Sequence, residues 1–274
     1  MATRRFGKPR RVRITQPVEY VDADGISASD KIDTGPIRRV EWEEFRSQMN
    51  WSQGEHVSII GATGSGKSYL ALALMHLERD YCVALGPKPR DSTLDEMIKR
   101  RGWVRTPTWH DKPQIDVEYG KRPPPQRVIV WPEYRRIEDA DNHPKVFGET
   151  LGEIFAEGRW AVFIDEAAYF TDELGLKRLM KRCWQQGRSI KLTMVSAVQR
   201  PYYVPREFLS EAMHIFIFGL SDRDDIRRLQ DIGGPTDRDK ILEGIRMLNW
   251  KEREFLYVDA RNGRVLISRA PANF

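Results

Sequence analysis

The stretch VSIIGATGSGKSYLALALMHL, residues 57–77, sets an apolar run, a glycine-rich turn and a second apolar run in direct succession. Its centre, Gly61-Ala62-Thr63-Gly64-Ser65-Gly66-Lys67-Ser68, fits the pattern G-x-x-x-x-G-K-[ST]. Glycines let a backbone wrap closely around an anion, so that its N–H groups turn inward onto phosphate oxygens. In this pattern the lysine, Lys67, reaches the β- and γ-phosphates, and the hydroxyl of Ser68 serves Mg²⁺. A helix opening at Ser68 adds the positive end of its dipole. The strand–loop–helix context that the motif needs is present, and the candidate nucleotide contacts extend to Tyr69. The segment reads as a site for ATP with Mg²⁺.

A phosphate loop needs a second element to hold the metal. Two apolar runs end in acid. Val128 to Trp131 is followed by Pro132 and the single acid Glu133, whereas Trp160 to Ile164 runs directly into Asp165-Glu166. The second is the better match. Asp165 at a strand tip serves the Mg²⁺ shell, and Glu166 polarises an attacking water. Glu133 reads as an ordinary loop-edge residue. Paired acids favour hydrolysis over transfer to a substrate hydroxyl. A further apolar run, Leu192 to Val198, ends in Gln199-Arg200-Pro201. There Gln199 is placed to sense the γ-phosphate or orient water, with capping as the alternative. Arg200 beside it either senses phosphate or holds an acidic neighbour. Upstream, Gln186-Gly187-Arg188 offers an arginine able to project into a neighbouring subunit's nucleotide; Arg178 and Arg182 are alternatives.

Strand-like runs recur at 56–60, 81–85, 127–131, 160–164, 192–198 and 215–219. Helical patterns at 68–79, 92–101, 144–157, 172–186 and 222–230 separate most of them, and a short amphipathic helix is expected over 40–51. Strands apolar throughout, alternating with helices, predict an α/β fold with a mostly parallel central sheet covered by helices on both faces. Strand patterns flanking Asn262-Gly263 predict a C-terminal β-hairpin. Residues 102–126 carry Pro107, Pro113 and Pro123 to Pro125, and read as an irregular insertion. Its arginines, with Trp103 and Trp109, are candidate nucleic-acid contacts, with a plain surface loop as the alternative.

Composition bounds the class. The 274 residues are 40% hydrophobic and 31% charged, with net charge +5, as in an ordinary soluble protein. No apolar run approaches the ~20 residues of a membrane helix, and no secretion signal is visible, so a cytoplasmic location and no membrane partner are expected. Cys82 and Cys183 read as buried free thiols, and no Cys/His cluster has zinc spacing. The basic residues Arg4, Arg5, Lys8, Arg10, Arg11 and Arg13 are unaccompanied by acid, and without them the chain is close to neutral. Residues 1–37 therefore read as a basic, largely extended arm, either for nucleic acid or an acidic partner or as a solvated terminus kept for solubility, and 38–274 as the ATPase domain.

Taken together, GATGSGKS, AVFIDEA (161–167) and GRSIKLTMVSAVQRPYYVPREFLSEAMHIFIFGLSDRDDIRRLQDIGG (187–234) resemble the HerA–FtsK superfamily of DNA-translocating ATPases. The closing segment EFLYVDARNGRVLISRA (254–270) is also similar to that family's last strands. The resemblance runs from about residue 55 to 268. It implies a RecA-like (ASCE) P-loop NTPase core assembled as a ring, pentamer or hexamer, that moves double-stranded DNA through a central channel. By position, Lys67, Ser68, Asp165, Glu166 and Gln199 carry over to family roles, and Arg188 does so as a trans-acting arginine. The sequence departs from the family's pumps in showing no membrane anchor, winged-helix domain or nuclease. It thus resembles viral genome-packaging ATPases, which implies a capsid portal or similar docking protein and the host cytoplasm. A plasmid-transfer ATPase, a small-molecule phosphotransferase and a nucleotide-switched assembly factor are the rival readings.

Overall fold

The computed structural model describes residues 33, 35–113 and 124–271, which belong to the compact unit Ile32–Phe274. The basic cluster between Arg4 and Arg13 lies outside the described residues. Ten strands form one sheet: β1 (Arg38–Arg39), β2 (His56–Ile60), β3 (Tyr81–Leu85), β4 (Val104–Thr106), β5 (Gln126–Val130), β6 (Ala161–Ile164), β7 (Thr193–Val198), β8 (Ala212–Ile217), β9 (Glu254–Asp259) and β10 (Arg264–Arg269). The helices are α1 (Trp42–Gln48), α2 (Lys67–Glu78), α3 (Ser92–Arg101), α4 (His143–Glu157), α5 (Lys177–Gln186), α6 (Glu207–Ser210), α7 (Arg223–Arg228) and α8 (Arg238–Met247).

The spatial order is β1-β10-β9-β8-β2-β7-β6-β3-β5-β4. Every neighbouring pair is parallel except β8–β9 and β9–β10, where the C-terminal hairpin joins the sheet. The parallel strands are apolar on both faces because both faces are covered. In β2, Val57 and Ile59 point into one core with α1, α2 and α3. Ile60 points into the other, with α4, α5, α6 and α8. One register step thus moves a side chain from one hydrophobic layer to the other. Because β7 lies between β2 and β6, the carboxyl ends of these three strands stand side by side.

Several elements differ from the sequence reading. The segment 102–126 contains edge strand β4, paired with β5, and residues 114–123 fall outside the described residues. Trp103 and Trp109 are each only 2% exposed, so neither is a nucleic-acid contact. The Trp103 indole N–H donates to His76, and that of Trp109 to Glu157. Trp109 also packs edge-on against Trp160. The helix expected over 172–186 is split into a π-turn, Tyr169–Glu173, and α5. Gly175 between them has φ 65°, a conformation that ends helices. Helix α8 lies in a stretch to which the sequence reading assigns no element. Cys82 and Cys183 are free and buried, and burial pushes both thiols up to about 12. Among the described residues, no helix is long and apolar enough to cross a membrane.

His56, at the amino end of β2, is buried with Nε2 on the Trp184 carbonyl at 2.9 Å and Nδ1 accepting from the Met194 N–H at 3.0 Å. Burial holds its pKa down to about 4. The folded state therefore keeps a neutral ring while the unfolded chain protonates near 6.5. Stability is full above pH ~6.5 and falls as pH drops towards 4, with about 2 kcal/mol lost from this group by pH 5. Urea denaturation at pH 8 and pH 5 should show that loss, and His56→Gln, which does not titrate, should lose less across the same interval.

Candidate nucleotide site

The phosphate loop joins β2 to α2 across the central carboxyl edge of the sheet. Gly66 caps α2 with φ 104°, a left-handed conformation that only glycine adopts at low cost. Gly61 is required for a different reason: a Cβ there would lie 2.7 Å from the Phe218 Cβ. No side chain caps α2, and its first turn carries no acid. The first N–H groups of the helix are thus left for an anion. The Ser65 hydroxyl is buried without a hydrogen-bond partner, a further polar group suited to a phosphate. Tyr69 lies partly buried in the first turn of α2.

Lys67 is buried and its ammonium donates to the Ala62 carbonyl at 2.9 Å. Burial pulls its pKa down, against the charges of Asp165 and Glu166. The lysine folds back onto its own loop, at the position where phosphate oxygens would replace the carbonyl. The Ser68 hydroxyl donates to Asp165 Oδ1 at 3.2 Å. These two oxygens are the pair expected to hold Mg²⁺, which binds few protein groups directly and keeps water and phosphate oxygens as its other ligands. The residues fit both groups.

Glu166 follows Asp165 with φ 57°, a backbone conformation costly for a non-glycine residue and common at functional sites. Burial, and then the Asp165 charge, raise its pKa, while Lys88 and Lys67 oppose the rise. A carboxylate shifted upward is a better proton acceptor. Gln199, at the tip of β7, bridges the site. Its carbonyl accepts from the Thr63 hydroxyl at 2.8 Å, and its amide N–H donates to Glu166.

The structure thus brings Thr63, Lys67, Ser68, Asp165, Glu166 and Gln199 together, and leaves Arg188 apart. Arg188 is exposed and packs its backbone by Gly54, at the starting ends of β2 and β7. It stands at the sheet edge opposite the phosphate loop. Arg178 and Arg182 are exposed on α5. Arg200 holds acidic neighbours, Asp225 and Asp222, which decides between its two readings. Glu133 is exposed and pairs with Arg135, two strands away from β6.

No family model matches the chain. The DNA packaging ATPase P9 of Enterobacteria phage PRD1 is 24% identical over 197 residues, 69% of this chain and 74% of that protein. The genome packaging NTPase B204 from Sulfolobus turreted icosahedral virus 2, solved with AMPPCP, superposes with TM-score 0.51 at 15% identity. The match covers 80% of this chain and 98% of that one. VirB4 of Thermoanaerobacter pseudethanolicus matches with TM-score 0.50 and 10% identity, over 79% of this chain and 89% of that one. The fold is that of a P-loop NTPase.

One residue beside the acid pair escaped the sequence reading. Lys88 pairs with Asp165 Oδ2 at 2.6 Å. Burial works against its ammonium, but the hydrogen bond and charge of Asp165 outweigh that and raise its pKa. The signal was available: Lys88 follows β3 directly in Gly86-Pro87-Lys88-Pro89, at another carboxyl end of a parallel strand, where ligands of α/β sheets bind.

Two variants separate binding from chemistry. Lys67→Ala should weaken nucleotide binding and abolish turnover. Glu166→Gln should bind nucleotide as the wild type does, by calorimetry, while turnover falls about 10²–10⁴-fold, the usual worth of a general base. Near wild-type hydrolysis by Glu166→Gln would remove Glu166 from that role.

Proposed function

We propose that the chain hydrolyses ATP to drive double-stranded DNA through a homo-oligomeric ring, packaging a viral genome. The observation that carries the hydrolytic part is the Gln199 bridge from Thr63 to Glu166. It joins the phosphate loop to a carboxylate suited to activating water. In this reading Glu166 takes a proton from water as the oxygen attacks the γ-phosphorus, and the bond to the β-phosphate oxygen breaks to release ADP. Lys67 and the N–H groups opening α2 stabilise charge on the phosphate oxygens. Mg²⁺, when bound by Ser68 and Asp165, neutralises phosphate charge. A phosphotransferase would have no use for a water-polarising glutamate here.

Support for the DNA part comes from the packaging functions named for phage protein P9 and for B204. Docking to a capsid portal or similar protein, in the host cytoplasm, follows from the same reading. VirB4 is a neighbour in fold, and a plasmid DNA-transfer ATPase is the second reading. Duplex DNA should raise ATP turnover several-fold, whereas a phosphotransferase would respond to a small phosphoryl acceptor and ignore DNA. Deleting residues 2–13 should reduce the slope of log K against log[salt] by at most ~5, from about 0.9 per phosphate contact. An unchanged slope would assign DNA binding elsewhere.

The position of Arg188, far from its own phosphate loop, suits action on a neighbour's nucleotide. Arg188→Ala should bind ATP normally and lose about 10³-fold in turnover, the usual worth of such an arginine. Mixing Arg188→Ala with Glu166→Gln should restore activity at interfaces that join an intact Glu166 to an intact Arg188. If co-assembled subunits fail to complement, Arg188 is not the trans residue, and Arg178 and Arg182 take the same test.

A further inference from the structure

The eight tryptophans of the chain divide unevenly. Seven are buried, and Trp250 alone is exposed, at 57%. It opens a short 3₁₀ turn, Trp250–Glu252, fixed at its start by the Asn249 side chain. Its indole lies against Gly219, where a Cβ would stand 2.9 Å from Cε2 and 3.2 Å from Nε1. Gly219 has φ 121°, so both its backbone and the close indole demand glycine. Gly219 follows Phe218, which is bonded through its N–H to the Ile60 carbonyl at 2.8 Å. The Phe218 side chain backs the phosphate loop at Gly61 and Gly66. The indole is therefore fixed beside the loop by a continuous series of contacts, yet keeps more than half of its surface open.

The direction of a bound nucleotide follows from the same geometry. The terminal phosphate belongs with Gln199, Glu166 and the Ser68–Asp165 pair, at the tips of β7 and β6. Strand β2 has β7 on one side and β8 on the other. A nucleotide laid across the loop with its γ-phosphate towards β7 directs its nucleoside towards β8, where Phe218, Gly219 and Trp250 stand. We infer that the exposed face of Trp250 stacks on the base of the bound nucleotide, with Gly219 present to seat the indole there. This rests on the nucleotide reading of the phosphate loop. The contact is a stacking platform and offers no hydrogen-bond readout of base edges, so it tolerates different bases.

The test compares a ligand that has a base with one that lacks it. Calorimetry with Mg²⁺ measures binding of β,γ-methylene-ATP and of inorganic tripolyphosphate to the wild type, Trp250→Ala and Trp250→Phe. Trp250→Ala should weaken the ATP analogue about tenfold, within the range of base–aromatic stacking, and leave tripolyphosphate unchanged. Trp250→Phe should retain most of the affinity. The analogue should quench tryptophan emission in the wild type and quench Trp250→Phe far less. Equal weakening of both ligands would give Trp250 a role in loop structure and overturn the inference. Unchanged binding of both in Trp250→Ala would overturn it too, and leave the indole for contact with a second subunit. Failure of the wild type to bind either ligand would sink the phosphate-loop reading itself, a result distinct from the other two.

Discussion

The Gln199 amide is the contact on which the site depends. One end accepts from Thr63 on the phosphate loop and the other donates to Glu166 beyond β6. Only a strand lying between β2 and β6 can place a side chain there, and β7 does so by pairing with both. Sheet order thereby becomes chemistry. Were β6 the direct neighbour of β2, the acid pair and the loop would meet with no side chain bridging them. The bridge also ties the phosphate loop to the turn after β6, so a change at one is felt at the other.

Charge in the site is balanced by opposition. Lys67 is buried and its pKa is lowered, while the neighbouring carboxylates resist that fall. Glu166 is raised by burial and by Asp165, and the lysines resist. Lys88 on Asp165 Oδ2 supplies the positive charge on the side away from Ser68. Asp165 thus stands between a hydroxyl and an ammonium. The strained backbone at Glu166 is consistent with a position kept for its side chain, because glycine would occupy that conformation more easily.

The residues that the structure gathers at this carboxyl edge were legible in the sequence because each component is local: a glycine-rich loop, two acids ending one apolar run, a glutamine ending another. The parallel sheet and the hairpin were legible from periodicity and from Asn262-Gly263. Strand order was not, since pairing depends on contacts distant in sequence. Lys88 stands visibly at the end of an apolar run, but that it meets Asp165 follows only from the pairing of β3 with β6. Trp103 and Trp109 were misread because aromatic and basic residues among prolines look the same whether they face solvent or core. In the structure β4 pairs with β5, and both indoles are buried. The fate of Arg200 was left open by its neighbours in sequence and decided by Asp225 on α7.

Movement along DNA is measurable directly. A triplex-forming oligonucleotide bound to linear duplex DNA reports translocation when a motor strips it off. With ATP, the chain should displace the third strand, and Glu166→Gln with ATP should bind the DNA without displacement. Hydrolysis that proceeds at full rate on DNA while the triplex stays in place would contradict a translocating motor, and would make the chain a nucleotide-driven switch.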